Sequence, residues 1–208
     1  IYAPSSRTVS PKFVLSARTG QTISSYPGAG NLTGNGSSLV FDFGMEVGGI
    51  VTINYTVSGS GPGAIGLAFT EAKNWIGESS DGADCEGPPL DGALYANFSD
   101  PGDYGYTMPD ENLRGGFRYL TVFLVSDLAS VNISNVSLEI VFQPTWSNLR
   151  AYQGYFHCDD EMLNSIWYSG AYTLQTNSAP INTGRWCVNS GWANNATLGS
   201  GNAIAVDG

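Results

Sequence analysis

Lysine and histidine are nearly missing from this chain: Lys12 and Lys73 are the only lysines among 208 residues, and His157 is the only histidine. A single histidine excludes His-rich zinc sites and leaves a Ser-His-Asp triad without its general base in any ordinary context. His157 reads most simply as a connector residue ahead of a helix. Charge is thin overall, at 12% of residues against the roughly 25% usual for soluble domains. What charge there is leans acidic, with Asp+Glu 18 against Lys+Arg 8 and a net charge of -10. Such a surface repels phosphate backbones and anionic headgroups, so neither nucleic acid nor a membrane is expected as a partner. No apolar run approaches the roughly 20 residues that a spanning helix needs. Cysteine is also scarce. Cys85, Cys158 and Cys187 are an odd number for an oxidising compartment, and spacing does not choose among the three internal pairings or a bond to residues elsewhere. No Cys/His cluster has metal-ligand spacing, so neither a metal nor another cofactor is expected.

With so little charge, something else must keep the chain soluble, and asparagine supplies an answer. Sequons of the form Asn-x-Ser/Thr stand at Asn31, Asn35, Asn54, Asn97, Asn132, Asn135 and Asn195, none with Pro in the middle. Seven of the sixteen asparagines head one, more than Ser and Thr frequency alone supplies. N-glycosylation requires the secretory pathway, and a chain beginning at Ile1 instead of Met is what a matured N-terminus gives. The expectation is a secreted, extracellular glycoprotein.

Up to about Pro144 the apolar runs are short, β-branched or aromatic, and bounded by Gly, Ser, Asn or Pro. Strands are expected over 12–17, 38–43, 49–57, 64–70, 117–125 and 130–142. Val40-Phe41-Asp42-Phe43 and Ile50-Val51-Thr52-Ile53-Asn54-Tyr55 alternate apolar and polar, as a half-buried strand does. The run Phe117–Leu124 is almost continuously apolar and belongs at a sheet centre. Two sequons inside 131–140 require Asn132 and Asn135 to face solvent, hence an edge strand or a bulge between them. These features predict a mainly β fold, a jelly-roll-like β-sandwich over 1–143. Residues 1–10 read as an ordered arm or a loose tail, and 71–109 as a long irregular stretch of the kind that is functional or mobile.

The last fifty residues differ in kind. Leu163, Ile166, Trp167, Gly170, Ala171 and Leu174 fall on one face of a helix over 159–177, opened by Asp159, Asp160 and Glu161, which suit the positive end of the helix dipole. So broad an apolar face needs partners to bury it. The chain supplies few before Gly208, so it reads as a β domain (1–143), a linker (144–156) and the opening of a helical domain (157–208) whose remainder lies elsewhere.

Carboxylates are the main candidates for chemistry. Asp81, Asp84 and Glu86 sit in the long loop, and Asp110 and Glu111 in a turn; Asp159, Asp160 and Glu161 are better explained as helix-terminal charges. A glycosidase sets two carboxyl groups roughly 5 to 9.5 Å apart across the scissile bond, a distance that spacing does not report. Calcium suits Asp81, Asp84 and Glu86 by ligand type, although their spacing is not that of an EF-hand loop. Trp75, Tyr104, Tyr106, Trp186 and Trp192 occupy loop-like sequence, where an exposed ring stacks on a pyranose face or, more simply, packs at a domain interface.

The stretch Gly154–Gln175, beginning Gly154-Tyr155-Phe156-His157-Cys158-Asp159-Asp160-Glu161, resembles the start of the catalytic domain in fungal α-L-rhamnosidase-like glycoside hydrolases of the six-hairpin type. Gly66–Gly77 and Tyr106–Leu120 resemble the β-sandwich that precedes it, so the likeness covers most of residues 60–208. The resemblance implies a β-sandwich followed by an (α/α)6 barrel that hydrolyses terminal α-L-rhamnosides with inversion. It also implies that Val206-Asp207-Gly208 begins the active-site motif, with Asp207 as a sugar-binding carboxylate and the general acid and base after residue 208. On this reading no catalytic residue lies in the chain, and its partners are a rhamnoside and the remaining C-terminal catalytic polypeptide of the same enzyme. The alternatives are a lectin-like β-sandwich without activity, and an interaction glycoprotein with no sugar ligand.

Overall fold

The computed structural model describes residues 3–82, 90–142, 146–180 and 203–205. In chain order the strands are β1 (Thr8–Val9), β2 (Phe13–Ser16), β3 (Thr22–Ser25), β4 (Asn31–Thr33), β5 (Ser38–Val47), β6 (Gly49–Gly59), β7 (Gly63–Thr70), β8 (Ser80–Asp81), β9 (Leu90–Asp91), β10 (Leu94–Phe98), β11 (Gly102–Thr107), β12 (Phe117–Val125) and β13 (Ala129–Ile140). They are followed by helix α1 (Glu161–Thr176) and a small pair, β14 (Ser178–Pro180) with β15 (Ala203–Ala205).

Two antiparallel sheets face each other. One runs β1-β13-β6-β11, with β4 also paired to β13, and the other runs β10-β7-β12-β5-β2-β3. Alternation places Val51, Ile53, Tyr55 and Val57 of β6 on the inner face of the first sheet, opposite Phe41 and Phe43 of β5 and Leu120, Val122 and Leu124 of β12 in a single core. Their partners along β6, Thr52, Asn54, Thr56 and Ser58, turn outward, as a period of two requires.

The fold is therefore the expected mainly β sandwich plus one helix. The near-continuous apolar run of 117–125 is indeed central, hydrogen-bonded on one side to β5 and on the other to β7. Its outward face is buried too: Tyr119 joins Leu15 and Val40 in a second cluster, and Phe123 meets Tyr95 edge-on at 6.1 Å. Gly66 lies under the Phe123 ring, where any Cβ would collide with it.

One expectation changes, and two open alternatives are decided. The long stretch 71–109 is not irregular throughout, since it contains β10 and β11 as full members of the two sheets. Their polar and glycine content (Asp103-Tyr104-Gly105 in β11) hid them. Of the two alternatives for the strand over 130–142, the bulge holds: β6 pairs along one side and β1 and β4 along the other, so it is no edge, and a register shift between Ile133 and Asn135 separates the two sequons. The N-terminal arm is fixed: β1 pairs with β13, and the Arg7 guanidinium donates to the carbonyls of Ile140 at 2.8 Å and of Trp146 at 2.9 Å.

Candidate functional site

Helix α1 begins where Asp160 caps it, its carboxylate accepting from the amides of Met162 at 2.8 Å and Leu163 at 3.3 Å. Asn164 ties the incoming chain to the first turn, accepting from the Cys158 amide and donating to the Cys158 carbonyl, both at 2.9 Å. At the other end Gln175, buried, accepts from the Tyr152 hydroxyl at 2.7 Å and donates to the Leu149 carbonyl at 2.8 Å. Tyr172 packs edge-on against Phe142 at 5.9 Å, and Trp167 stacks on Phe156 at 6.3 Å. The helix thus docks by its aromatic and amide side chains. Its aliphatic side chains Met162, Leu163, Ile166 and Leu174 are exposed, Ile166 by 59% and Leu174 by 74%.

The docking leaves a cleft of about 450 Å³ between the end of the sandwich and the last turns of the helix. One wall is Glu46, Val47 and Gly48 at the β5–β6 turn; another is Leu113–Gly116 ahead of β12. The third is Tyr172, Thr173, Thr176 and Asn177. Burial raises the Glu46 carboxyl above its ordinary value, helped by the negative charges of Glu71 and Asp81. Burial, then Glu46 itself, raises the Tyr172 phenol. The Glu46 carboxylate lies against Gly116 so closely that a Cβ there would overlap it. A carboxylate, a guanidinium, hydroxyls and an amide around two rings offer the mixed polar and apolar lining of a small-molecule cleft. Glu46 is the only carboxylate lining it among the described residues, so the cleft by itself holds no acid–base pair of the glycosidase kind. A shallower recess of about 330 Å³ lies over the N-terminal half of α1, between Tyr155, Phe156 and His157 and the helix residues Glu161, Asn164, Ser165 and Tyr168.

The residues singled out from sequence are distributed differently. Asp207, Trp186 and Trp192 lie outside the described residues, as do Asn195, Cys85, Cys187, Asp84 and Glu86. Cys158 is half-buried beside the Asp160 carbonyl. Asp81 serves structure, accepting from the Glu71 amide at 2.8 Å. Tyr104 and Tyr106 pack onto the core rather than projecting, Tyr104 stacking on Tyr55 at 5.5 Å. Trp75 does project, 72% exposed on the turn Lys73–Trp75. Of the six described sequon asparagines, Asn31, Asn35, Asn54, Asn97 and Asn132 are exposed and Asn135 is half-buried. The described residues contain no group of three or more His, Cys, Asp or Glu able to hold a metal, and no helix among them is long and apolar enough to cross a membrane. Sequence reasoning missed Glu46, Arg114 and Gln175. The available signal was the pair of glycine doublets, Gly48-Gly49 and Gly115-Gly116, which mark bare backbone on two walls of the cleft.

No protein-family model and no curated protein matches the chain. Among solved structures it is similar to a rhamnosidase from Klebsiella oxytoca with rhamnose bound, with a TM-score of 0.53 and 18% identity over 81% of this chain and 34% of that one. A GH78 family rhamnosidase of Bacillus sp. GL1 aligns with a TM-score of 0.43 and 20% identity over 66% of this chain and 13% of that one. Both sources are bacteria. The chain spans about a third of the length of the first, and at this identity the likeness is one of fold.

Proposed function

We propose that the chain is the N-terminal part of a secreted glycoside hydrolase that cleaves terminal α-L-rhamnosides with inversion. The observation that carries the reading is the fold likeness to the Klebsiella oxytoca rhamnosidase, which covers 81% of this chain, a larger share than the β domain of residues 1–143 makes up. The resemblance of 154–175 to the opening of a six-hairpin catalytic domain supports it independently. So does the helix itself, whose aliphatic side chains Met162, Leu163, Ile166 and Leu174 are exposed and offer a face for further helices of an (α/α)6 barrel to cover. The domain division follows: sandwich over 1–143, linker over 144–156, helical domain from 157.

In this reading the sandwich is a platform and the chemistry belongs to the helical domain. A general acid protonates the leaving oxygen while a general base activates a water on the opposite face of the sugar. Both are assigned to sequence beyond Gly208, on a C-terminal polypeptide continuous with or associated with this one. Asp207 is assigned to binding rhamnose hydroxyls. The test is hydrolysis of an aryl α-L-rhamnoside by the intact protein, compared with its Asp207→Asn variant. Release of the aryl alcohol, with turnover reduced at least a hundredfold in the variant and its folding unchanged, is the expected result. Binding of rhamnosides without turnover would favour a lectin-like module, and wild-type turnover in the variant would remove Asp207 from the site.

A further inference from the structure

Four of the sequon asparagines form two cross-strand pairs. Asn132 of β13 stands directly opposite Asn31 of β4, and Asn135 of β13 stands directly opposite Asn54 of β6. All four belong to the sheet whose inner face is taken by Val131, Ile133, Val136 and Leu138. We infer that each pair carries one N-glycan at most, so that this face holds two glycans and not four. The inference rests on the reading of the sequons as glycosylated, and deepens it.

The limit is steric. Neighbouring strands lie about 4.8 Å apart, and directly opposite Cβ atoms about 5 Å apart. Modification joins C1 of the first N-acetylglucosamine to the asparagine Nδ2, with loss of one Nδ2 proton. The bond from C1 to the diphosphate of a lipid-linked oligosaccharide donor breaks, and the lipid diphosphate departs. Each such ring is as wide as the strand spacing and carries the rest of the glycan outward. Two of them rooted in one register pair have to splay apart, and here their surroundings oppose it. On the far side of Asn132, Thr56 is held by Asp103 at 2.6 Å. The Asn132 side chain leans the other way, over Gly30, so that its Oδ1 would lie 3.4 Å from a Cβ placed there. That is the space beside Asn31.

Within the second pair the choice is decided. Asn54 is exposed and leans over Gly105, with Oδ1 3.3 Å from the position of a Cβ. A missing side chain on β11 therefore leaves room for its sugar. Asn135 is half-buried, and its Oδ1 accepts from the Tyr26 hydroxyl at 3.3 Å, which in turn accepts from the Val136 amide. Asn54 takes the glycan and Asn135 stays bare. In the first pair both asparagines are exposed, and either one excludes the other. Asn35, between two glycines of positive φ, and Asn97, opposite Ala64, have no sequon facing them in register.

The experiment is a count of N-glycans per molecule on the intact protein secreted from a eukaryotic host, trimmed to one N-acetylglucosamine per site and weighed whole. The expected result is that Asn31→Gln and Asn132→Gln each leave the maximum count unchanged while the double variant loses one, and that Asn135→Gln leaves it unchanged. Loss of one glycan in each single variant and of two in the double would overturn the exclusion. An unchanged count in the double variant would also overturn it, because that pair would then be unused. A wild-type count of zero is a different failure, since it removes the glycosylation reading itself and this inference with it.

Discussion

Asp42 and Glu46 lie four residues apart on β5, and the fold pulls their carboxyl groups in opposite directions. For Asp42 burial alone would raise the pKa. The Arg118 guanidinium, donating at 2.8 and 3.1 Å, the Gly44 amide at 2.7 Å, and the charges of Arg118 and Lys73 outweigh it, and the net shift is downward. A depressed carboxyl contributes stability above its ordinary value of 3.8 and loses it as pH falls through the lower folded value. Asp42→Asn should therefore destabilise the protein at pH 7 by about 2 kcal/mol, less than the cost of breaking a fully buried pair because Arg118 remains partly exposed. Denaturant titrations at several pH values should show the gap closing below about pH 4; a gap that persists in acid would contradict the assignment. Glu46 has the opposite sign. Its raised pKa means that its contribution is intact below its ordinary value of 4.5 and is lost as pH rises through the folded value. Glu46→Gln should stabilise the protein at pH 7 and make no difference in acid. Neither role is written in the local sequence. Asp42 is the polar residue of an alternating strand and reads as solvent-facing, yet the outer face of its sheet is covered and the residue is 5% exposed. What made the difference is which strands cover which, a tertiary fact.

At the scale of elements, patterning was legible wherever burial is one-sided. β6 and β12 lie where alternation and continuous apolarity put them, and α1 starts at the acids that cap it. β4, β10 and β11 were not legible, because Asn31-Leu32-Thr33 is too short and Gly102-Asp103-Tyr104-Gly105-Tyr106-Thr107 too polar to show a period; they are strands because longer neighbours offer them hydrogen bonds. The helix shows the converse. Its periodicity was read correctly, yet most of the apolar stripe stays exposed, while Asn164, Trp167 and Gln175 hold the connector at Cys158, Phe156, Tyr152 and Leu149 and Tyr172 meets Phe142 of the sandwich. If further helices of the intact protein cover the stripe, Leu163→Ala and Ile166→Ala should each cost about 3 kcal/mol there, the usual penalty for emptying a packed site. Side chains left in solvent would give changes within about 0.5 kcal/mol, and that result would remove the barrel from the account. Thermal or denaturant unfolding of the intact protein reads the difference.

For the molecule as a whole, the sequence carried the class of fold, a mainly β chain with one helix after the sandwich strands, because strand and helix differ in periodicity. It did not carry the cleft, which exists only where the β5–β6 turn, the glycines before β12 and the end of α1 converge. Nor did it expose the pairing of sequons, which depends on strands distant in sequence coming into register, Asn31 with Asn132 and Asn54 with Asn135. The proposed hydrolase activity places catalysis in the helical domain rather than in the sandwich. The most direct test follows a rhamnoside by proton NMR during the first minutes of hydrolysis by the intact protein. Inversion predicts β-L-rhamnose as the first product, with the α anomer growing in only as the sugar mutarotates. Immediate appearance of the α anomer would contradict the inverting mechanism, and an unchanged substrate at high protein concentration would contradict the hydrolase assignment itself.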